Sequence, residues 1–503
     1  MSPKPRSLTQ RTMSGMAWAA WGSGAIAVLK VVVLIVLTRL LSPADFGVVG
    51  AALVVIHFSL IFSQLGLGPA LVQRPVLEPR HISTAFFAST GLGLAVAALM
   101  WVLAPAVAAF FRMDQLVPVV RALAFVFPVA GVSAVAENLT QRELRFRKLA
   151  NIDVVAYGFG YGLVGVGLAV LGWGVWALVA AQLTQQVLRA AILLGTTPPV
   201  LRPRPSWTSF RELLLYGAGL SVARIGVLLA NQADNLVVGR WLGAAALGLY
   251  SRAYQLMSVP TALLGDVLDK VLFPTMSRVQ EDRRRLASAY LQGTALIALV
   301  TLPAGIVAAV VARDLVQVAF GSRWLALVPP FQVLALGMMF RTSYRMSDSL
   351  SRATGKVYRR AWRQGLYAAM VFGAAWIGHH AGLSGVAAGV LVALFLNYLL
   401  MAQLSLTVAG ISWLQFFGAQ LPAVLLSVVA GAAALAATGA GRHVGLPAPL
   451  VLAIASVAAV VASVLTAWAA PTLALGPHGI RIRDTLGPHL MAKLRLAKLR
   501  ETG

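Results

Sequence analysis

Apolar runs long enough to cross a bilayer recur along this chain from about residue 14 to about residue 470. A helix needs about 20 such residues to span the hydrocarbon core. Only helices and closed barrels satisfy their backbone hydrogen bonds there, and these runs are longer and less alternating than outer-membrane strands. Charged residues make up 11% of the chain, against about 25% in soluble domains, so the chain lacks the polar surface that soluble domains require. The pattern predicts an all-α, polytopic integral membrane protein.

Fourteen transmembrane helices are expected, near 14–38, 45–66, 82–111, 116–138, 150–171, 174–195, 212–239, 246–275, 287–311, 327–350, 362–378, 383–408, 413–437 and 447–470. The start, MSPKPRSLTQRT, is too long and polar for a cleavable signal and is expected to stay in the cytoplasm. Alternate loops then share that side: QRPVLEPR (73–80), QRELRFRK (141–148), RPRPSWTSFR (202–211), SRVQEDRRR (277–285) and SRATGKVYRRAWR (351–363), with the tail 476–503. These loops gather the basic residues, which is the positive-inside pattern. That pattern accounts for the net charge of +25 without nucleic acid as a partner. In the tail, GPHLMAKLRLAKLR (487–500) alternates Leu with Lys and Arg. It reads either as a segment lying on anionic membrane lipids or as a solvated basic end.

The chain repeats itself. LTRLLSPADFGVVGAA (37–52) aligns with VGRWLGAAALGLYSRA (238–253), matching Arg39 with Arg240, Leu41 with Leu242, Gly47 with Gly248 and Ala52 with Ala253. The offset equals six helices, an even number, so the two copies run parallel, as in the halves of some transporters. The expected plan is a lobe at 1–209 and a second at 210–410, two further helices at 411–475 and a basic cytoplasmic tail at 476–503. In such plans substrate sites lie near mid-membrane at the repeat interface.

Ionisable groups inside a bilayer are costly and normally face a bundle interior or a water-filled cavity. NQADNLVVGRW (231–241) interrupts a long apolar stretch. At 100° per residue, Arg224, Asn231 and Asn235 fall within about 40° of one another, flanked by Gln232 and Asp234. The stripe reads as the lining of a hydrophilic cavity or as interhelical hydrogen bonding. On the tenth span, Arg341, Arg345 and Asp348 share a face beside Tyr344, with Asp348 within reach of Arg345 at i, i+3; the competing reading is snorkelling to the surface. Lys30 stands alone in the first span and aligns with Asn231 in the repeat. It calls for an acid from another helix, such as Asp234, or for an anionic ligand. Arg252 and Tyr254 are further cavity candidates. Asp153 and Tyr157, at i and i+4, suit a proton or cation site or, for Asp153, a helix start.

No cysteine is present, which removes disulfides, thiolate metal sites and cysteine nucleophiles. Metal spacings, catalytic triads and phosphate-binding glycine loops are missing from the sequence as well, so neither an enzyme nor a cofactor is expected. For a chain on the transporter-like plan above, a proton and a sodium ion are the candidate coupling ions.

Several stretches together resemble Wzx-type polysaccharide flippases of the multidrug/oligosaccharidyl-lipid/polysaccharide exporter superfamily, in the colanic acid and xanthan branch. They are LTRLLSPADFGVVG (37–50), SQLGLGPALVQR (63–74), QRELRFRKLANIDVVAYGFGYG (141–162), GWGVWALVAAQL (172–183), DNLVVGRWLG (234–243) and LYSRAYQLMSVP (249–260). The resemblance implies a bacterial inner-membrane transporter. It would move undecaprenyl-pyrophosphate-linked glycan by alternating access, with the headgroup in a cationic cavity and polymerase or export machinery as neighbours. An anionic diphosphate suits the basic stripe, because Arg binds phosphate through paired hydrogen bonds. Three alternatives remain: a lipid II flippase, a cation-coupled multidrug exporter of the same superfamily, and a membrane scaffold for polysaccharide assembly.

Overall fold

The computed structural model describes residues 27–199, 205–477 and Ile480, excepting the side chains at 216, 218–225, 262–264, 266–275 and 357. The basic N-terminus and nearly all of the basic tail therefore lie outside the described residues. Every secondary-structure element among the described residues is helical.

α1 occupies 27–40 and stops before Ser42. Ser42 caps α2 (Pro43–Gln64): its hydroxyl accepts the Asp45 N–H at 3.3 Å, and Asp45 accepts the Ser42 N–H at 2.8 Å. This reciprocal capping box satisfies two donors that a helix start leaves orphaned. α2 ends at Leu65 and Gly66, both with positive φ, and the chain enters the short α3 (Leu67–Gln73). α4 (Pro79–Phe111) follows.

The expected span at 116–138 is broken into α5 (Leu116–Leu123) and α6 (Val126–Arg142). Pro128 explains the break, because it cannot donate to the Ala124 carbonyl four residues back. α7 (Phe146–Tyr157) runs into an eight-residue π-helix, Gly158–Gly165, and then α8 (Val166–Val170). α9 (Val175–Thr196) and α10 (Trp207–Val237) follow, and a second π turn, Val238–Leu242, leads into α11 (Gly243–Arg278).

The remaining helices are α12 (Arg283–Val310), α13 (Ala312–Ala319), α14 (Val328–Leu336), α15 (Met338–Ala353), α16 (Val357–Gly378), α17 (Gly382–Ala409), α18 (Trp413–Gly418), α19 (Leu421–His443) and α20 (Ala448–Ala469). The expected span at 327–350 is bent by 40° at Gly337, between α14 and α15. Among the described residues, nine segments are long and apolar enough to cross a membrane, or ten counting this bent pair as one span. One of the nine, Tyr358–Ala409, contains both α16 and α17. These two fold back on each other at Gly378 and Gly385, where a Cβ on either would strike the other's carbonyl oxygen.

The chain divides into two compact units that part between Ser251 and Arg252, inside α11. In the first, Leu67 and Leu71 of α3, Ala85 of α4, Val135 of α6 and Leu213 of α10 share a buried cluster. In the second, Leu286, Tyr290 and Ile297 of α12 pack with Met346 and Leu350 of α15, Tyr398 of α17 and Phe416 of α18. Ala430 and Ala434 of α19 and Ala459 of α20 cluster against Val307 and Val310 of α12. Arg442 of α19 pairs with Asp314 of α13 at 2.6 Å.

Gly47 and Gly248, matched in the sequence alignment above, come together within the first unit. A Cβ on Gly47 would strike the carbonyl of Ala244, and one on Gly248 would strike that of Pro43 and lie 3.2 Å from the Gly47 nitrogen. The starts of α2 and α11 therefore approach backbone to backbone, which only glycine permits.

Candidate functional site

The polar residues of α10 divide into two sets. Asp234 is 1% exposed and accepts the Tyr250 hydroxyl at 2.9 Å, linking α10 to α11; the Asn235 N–H also reaches its carboxylate, at 2.9 Å. Asn231 and the Gln232–Asn235 pair remain half-exposed. Asn231 donates to the Val227 carbonyl at 2.7 Å and Asn235 donates to Gln232 at 2.9 Å. Asn235 Oδ1 is buried with no hydrogen-bond partner among the described residues. Just beyond, in the π turn, the Arg240 guanidinium lies 5.5 Å from the centre of the Phe110 ring, a cation–π distance. The side chain of Arg224 lies outside the described residues.

Lys30 is exposed on α1, its ammonium 5.6 Å from the centre of the Tyr157 ring on α7. Asp234 is not its partner, since that carboxylate sits in the interior against Tyr250. Tyr157 stacks on Tyr161 with ring centres 4.9 Å apart, and the Tyr161 hydroxyl donates to Gln182 of α9 at 2.8 Å.

Further along the same helices, Arg189 of α9 bridges two acids. Its two terminal nitrogens each donate to Glu137 of α6 at 2.8 Å, and its Nε donates to Asp153 of α7 at 2.8 Å. Asp153 therefore serves as one arm of a three-helix ion cluster. Glu137, Gln182 and Arg189 escaped the sequence reading. The recurrence of Gln182, Gln185 or Gln186, and Arg189 at helical spacing is the signal that would have shown them.

In the second unit, Arg341 of α15 donates to the Tyr254 hydroxyl of α11, and its guanidinium lies 4.8 Å from the centre of that ring. Arg345 runs against α11 at Gly265, where a Cβ would lie 2.6 Å from its Nη1. The expected Arg345–Asp348 contact is corrected: Asp348 pairs instead with Arg352 at 3.2 Å and with Arg360 of α16. The i+4 arginine and the basic start of α16 hold the carboxylate in place of Arg345. Arg252 donates to Gln255, one turn along α11. The structure thus brings Arg341 to Tyr254 and Lys30 to Tyr157, and ties Asp234 into the packing.

Residues 36–329 match the family described as "Polysaccharide biosynthesis protein". The chain belongs to this polysaccharide biosynthesis family. Among the relatives of this family member is the teichuronic acid biosynthesis protein TuaB of Bacillus subtilis, 26% identical over 90% of this chain and 94% of that one. The lipopolysaccharide biosynthesis protein WzxC of Escherichia coli is 26% identical over 84% of this chain and 88% of its own length. The succinoglycan biosynthesis transport protein ExoT of Rhizobium meliloti is 28% identical over 64% and 65%.

Solved structures of other proteins share this fold. The lipid II flippase MurJ, in an inward closed conformation, superposes with a TM-score of 0.71 over 89% of this chain and 98% of that one, at 11% identity. An inward-facing multidrug resistance transporter of the MATE family gives 0.61 over 76% and 95%, at 18% identity. Membership bears out the Wzx-type resemblance read from the sequence, and the chain is a multi-span membrane protein with a transporter fold.

Proposed function

We propose that this polysaccharide biosynthesis protein is a flippase for undecaprenyl-pyrophosphate-linked oligosaccharides in the bacterial inner membrane, delivering them for exopolysaccharide or lipopolysaccharide assembly. Fourteen spans form two six-helix lobes, 1–209 and 210–410, with 411–475 adding the last two spans and both termini cytoplasmic. The lobes alternate access to a cationic cavity, the headgroup travels through it, and the prenyl tail stays in lipid. A proton or sodium gradient is the candidate driving force.

The observation that carries this reading is the similarity along most of the chain to WzxC and TuaB, named for lipopolysaccharide and teichuronic acid biosynthesis. The charge chemistry supports it. Lys30 is exposed on an apolar helix, and no carboxylate among the described residues pairs with it. An ammonium so placed suits an anionic diphosphate better than the cationic substrates of a drug exporter.

Complementation tests the proposal, in a bacterium lacking its own exopolysaccharide flippase, with wild type compared against Lys30→Ala, Arg224→Ala and Arg345→Ala. Surface polymer is measured alongside the amount of protein in the membrane. Restoration by wild type and loss in the inserted variants is expected. Variants that export at the wild-type rate would remove these cations from the substrate path and favour a scaffold. Rescue of a strain lacking its lipid II flippase, without rescue of polymer, would reassign the substrate.

A further inference from the structure

A second cationic feature lies away from the residues assigned to glycan transport. α6 ends at Arg142, Leu144 takes a positive φ of 57°, and the reversed chain starts α7 at Phe146. That reversal places Arg145, Arg147 and Lys148 around a cavity of about 440 Å3, floored by Asn151 and Ile152 of α7 and Ile192 of α9. Lys148 is held in place, its ammonium donating to the Thr196 carbonyl at 2.7 Å and to the Thr197 hydroxyl at 2.6 Å. A lysine ammonium has three donors, so one is left for another acceptor. Glu143 pairs with Arg145 at 2.9 Å.

What lies along the helix from this pocket identifies its occupant. Asn151 is exposed, and at successive four-residue steps Val155, Phe159 and Leu163 are 54%, 47% and 60% exposed. Val187 of α9 is 51% exposed. The opposite side of the same helix carries Asp153 and Tyr161, which engage Arg189 and Gln182, and Tyr157, which stacks on Tyr161. The apolar strip is therefore the face turned to hydrocarbon, and the three cations sit at its end, at the start of α7, which the basic pattern assigns to the anionic inner leaflet.

We propose that the pocket binds the phosphodiester headgroup of an anionic phospholipid of the phosphatidylglycerol type, one acyl chain lying along Val155, Phe159 and Leu163. Arg145 and Arg147 offer paired N–H donors to the phosphate oxygens, and Lys148 adds a point charge. This inference stands on the membrane orientation and does not require the substrate path to be correct.

Native mass spectrometry of the full-length protein in detergent tests it. Phosphatidylglycerol is titrated beside phosphatidylcholine of the same acyl chains, undecaprenyl phosphate and inorganic phosphate. The expected result is selective retention of phosphatidylglycerol, weakened at least tenfold by joint Arg145→Gln and Arg147→Gln substitution and unchanged by Arg121→Gln. Equal retention of phosphatidylcholine, or no change in the double variant, overturns the proposal. Displacement by inorganic phosphate at equal concentration would make it a free-phosphate site, and stronger retention of undecaprenyl phosphate a carrier site; either result also overturns it. If the double variant fails to fold, the wild-type comparison of the two phospholipids decides.

Discussion

Tyr250 donates its hydroxyl to Asp234 across 2.9 Å, with both residues sealed from solvent. The bond fastens the polar turn of α10 to α11, so the most acidic point of NQADNLVVGRW serves packing, while its neighbours Asn231, Gln232 and Asn235 keep exposed surface.

Tyr250→Phe removes that donor and leaves the ring in place. Leaving a buried acceptor unsatisfied costs about 1–3 kcal/mol. The variant should insert normally and unfold at a lower temperature in detergent. An unchanged melting temperature would mean that Asp234 is satisfied without Tyr250.

Gly47→Val and Gly248→Val each place a branched side chain where a carbonyl of the facing helix already stands. Overpacking of this kind costs about 1–3 kcal/mol. Each variant should therefore lower the melting temperature and loosen the approach of α2 to α11. Cysteines introduced at Ala44 and Ala245, next to the contact, should cross-link more slowly in the valine variants. Unaltered cross-linking would show that the two backbones do not approach in the membrane.

Arg189→Ala leaves Glu137 and Asp153 without their shared cation, both partly withdrawn from solvent. Membrane abundance should fall sharply. Arg189→Lys should recover only part of it, because an ammonium lacks the planar fork that reaches both carboxylates. Full recovery by lysine would reduce the cluster to a simple charge balance. The triple replacement Glu137→Gln, Asp153→Asn, Arg189→Gln should be better tolerated than Arg189→Ala, since no unpaired charge remains.

Arg341→Ala should lower polymer export more than tenfold at unchanged abundance, if the guanidinium held against Tyr254 meets the diphosphate. Tyr254→Phe keeps the ring under the cation and loses the hydroxyl, so export should fall by a smaller factor. Equal export by wild type and Arg341→Ala, measured at matched protein levels, would confine this pair to structure.

Much of the helical plan was legible beforehand, because hydrocarbon obliges each crossing segment to satisfy its own backbone and so to announce itself by length and apolarity. The breaks at Ala124–Phe125 and at Gly337, the two π turns and the short α3 were less legible. They depend on one missing donor, one missing side chain or local crowding, none of which alters hydropathy.

The sequence alone determined that this chain lives in a membrane as a bundle of helices, and which family it resembles. It also showed which polar residues were out of place. Tertiary structure decided which of them have partners. Asp348 pairs with Arg352 and Arg360 instead of Arg345, Asp234 goes to Tyr250 and leaves Lys30 beside Tyr157, and Arg189 gathers acids from two other helices. The reason is geometric. A helix's apolarity is a property of its own residues, whereas a side chain's partner depends on the rotation and height of a neighbour that is remote in the chain.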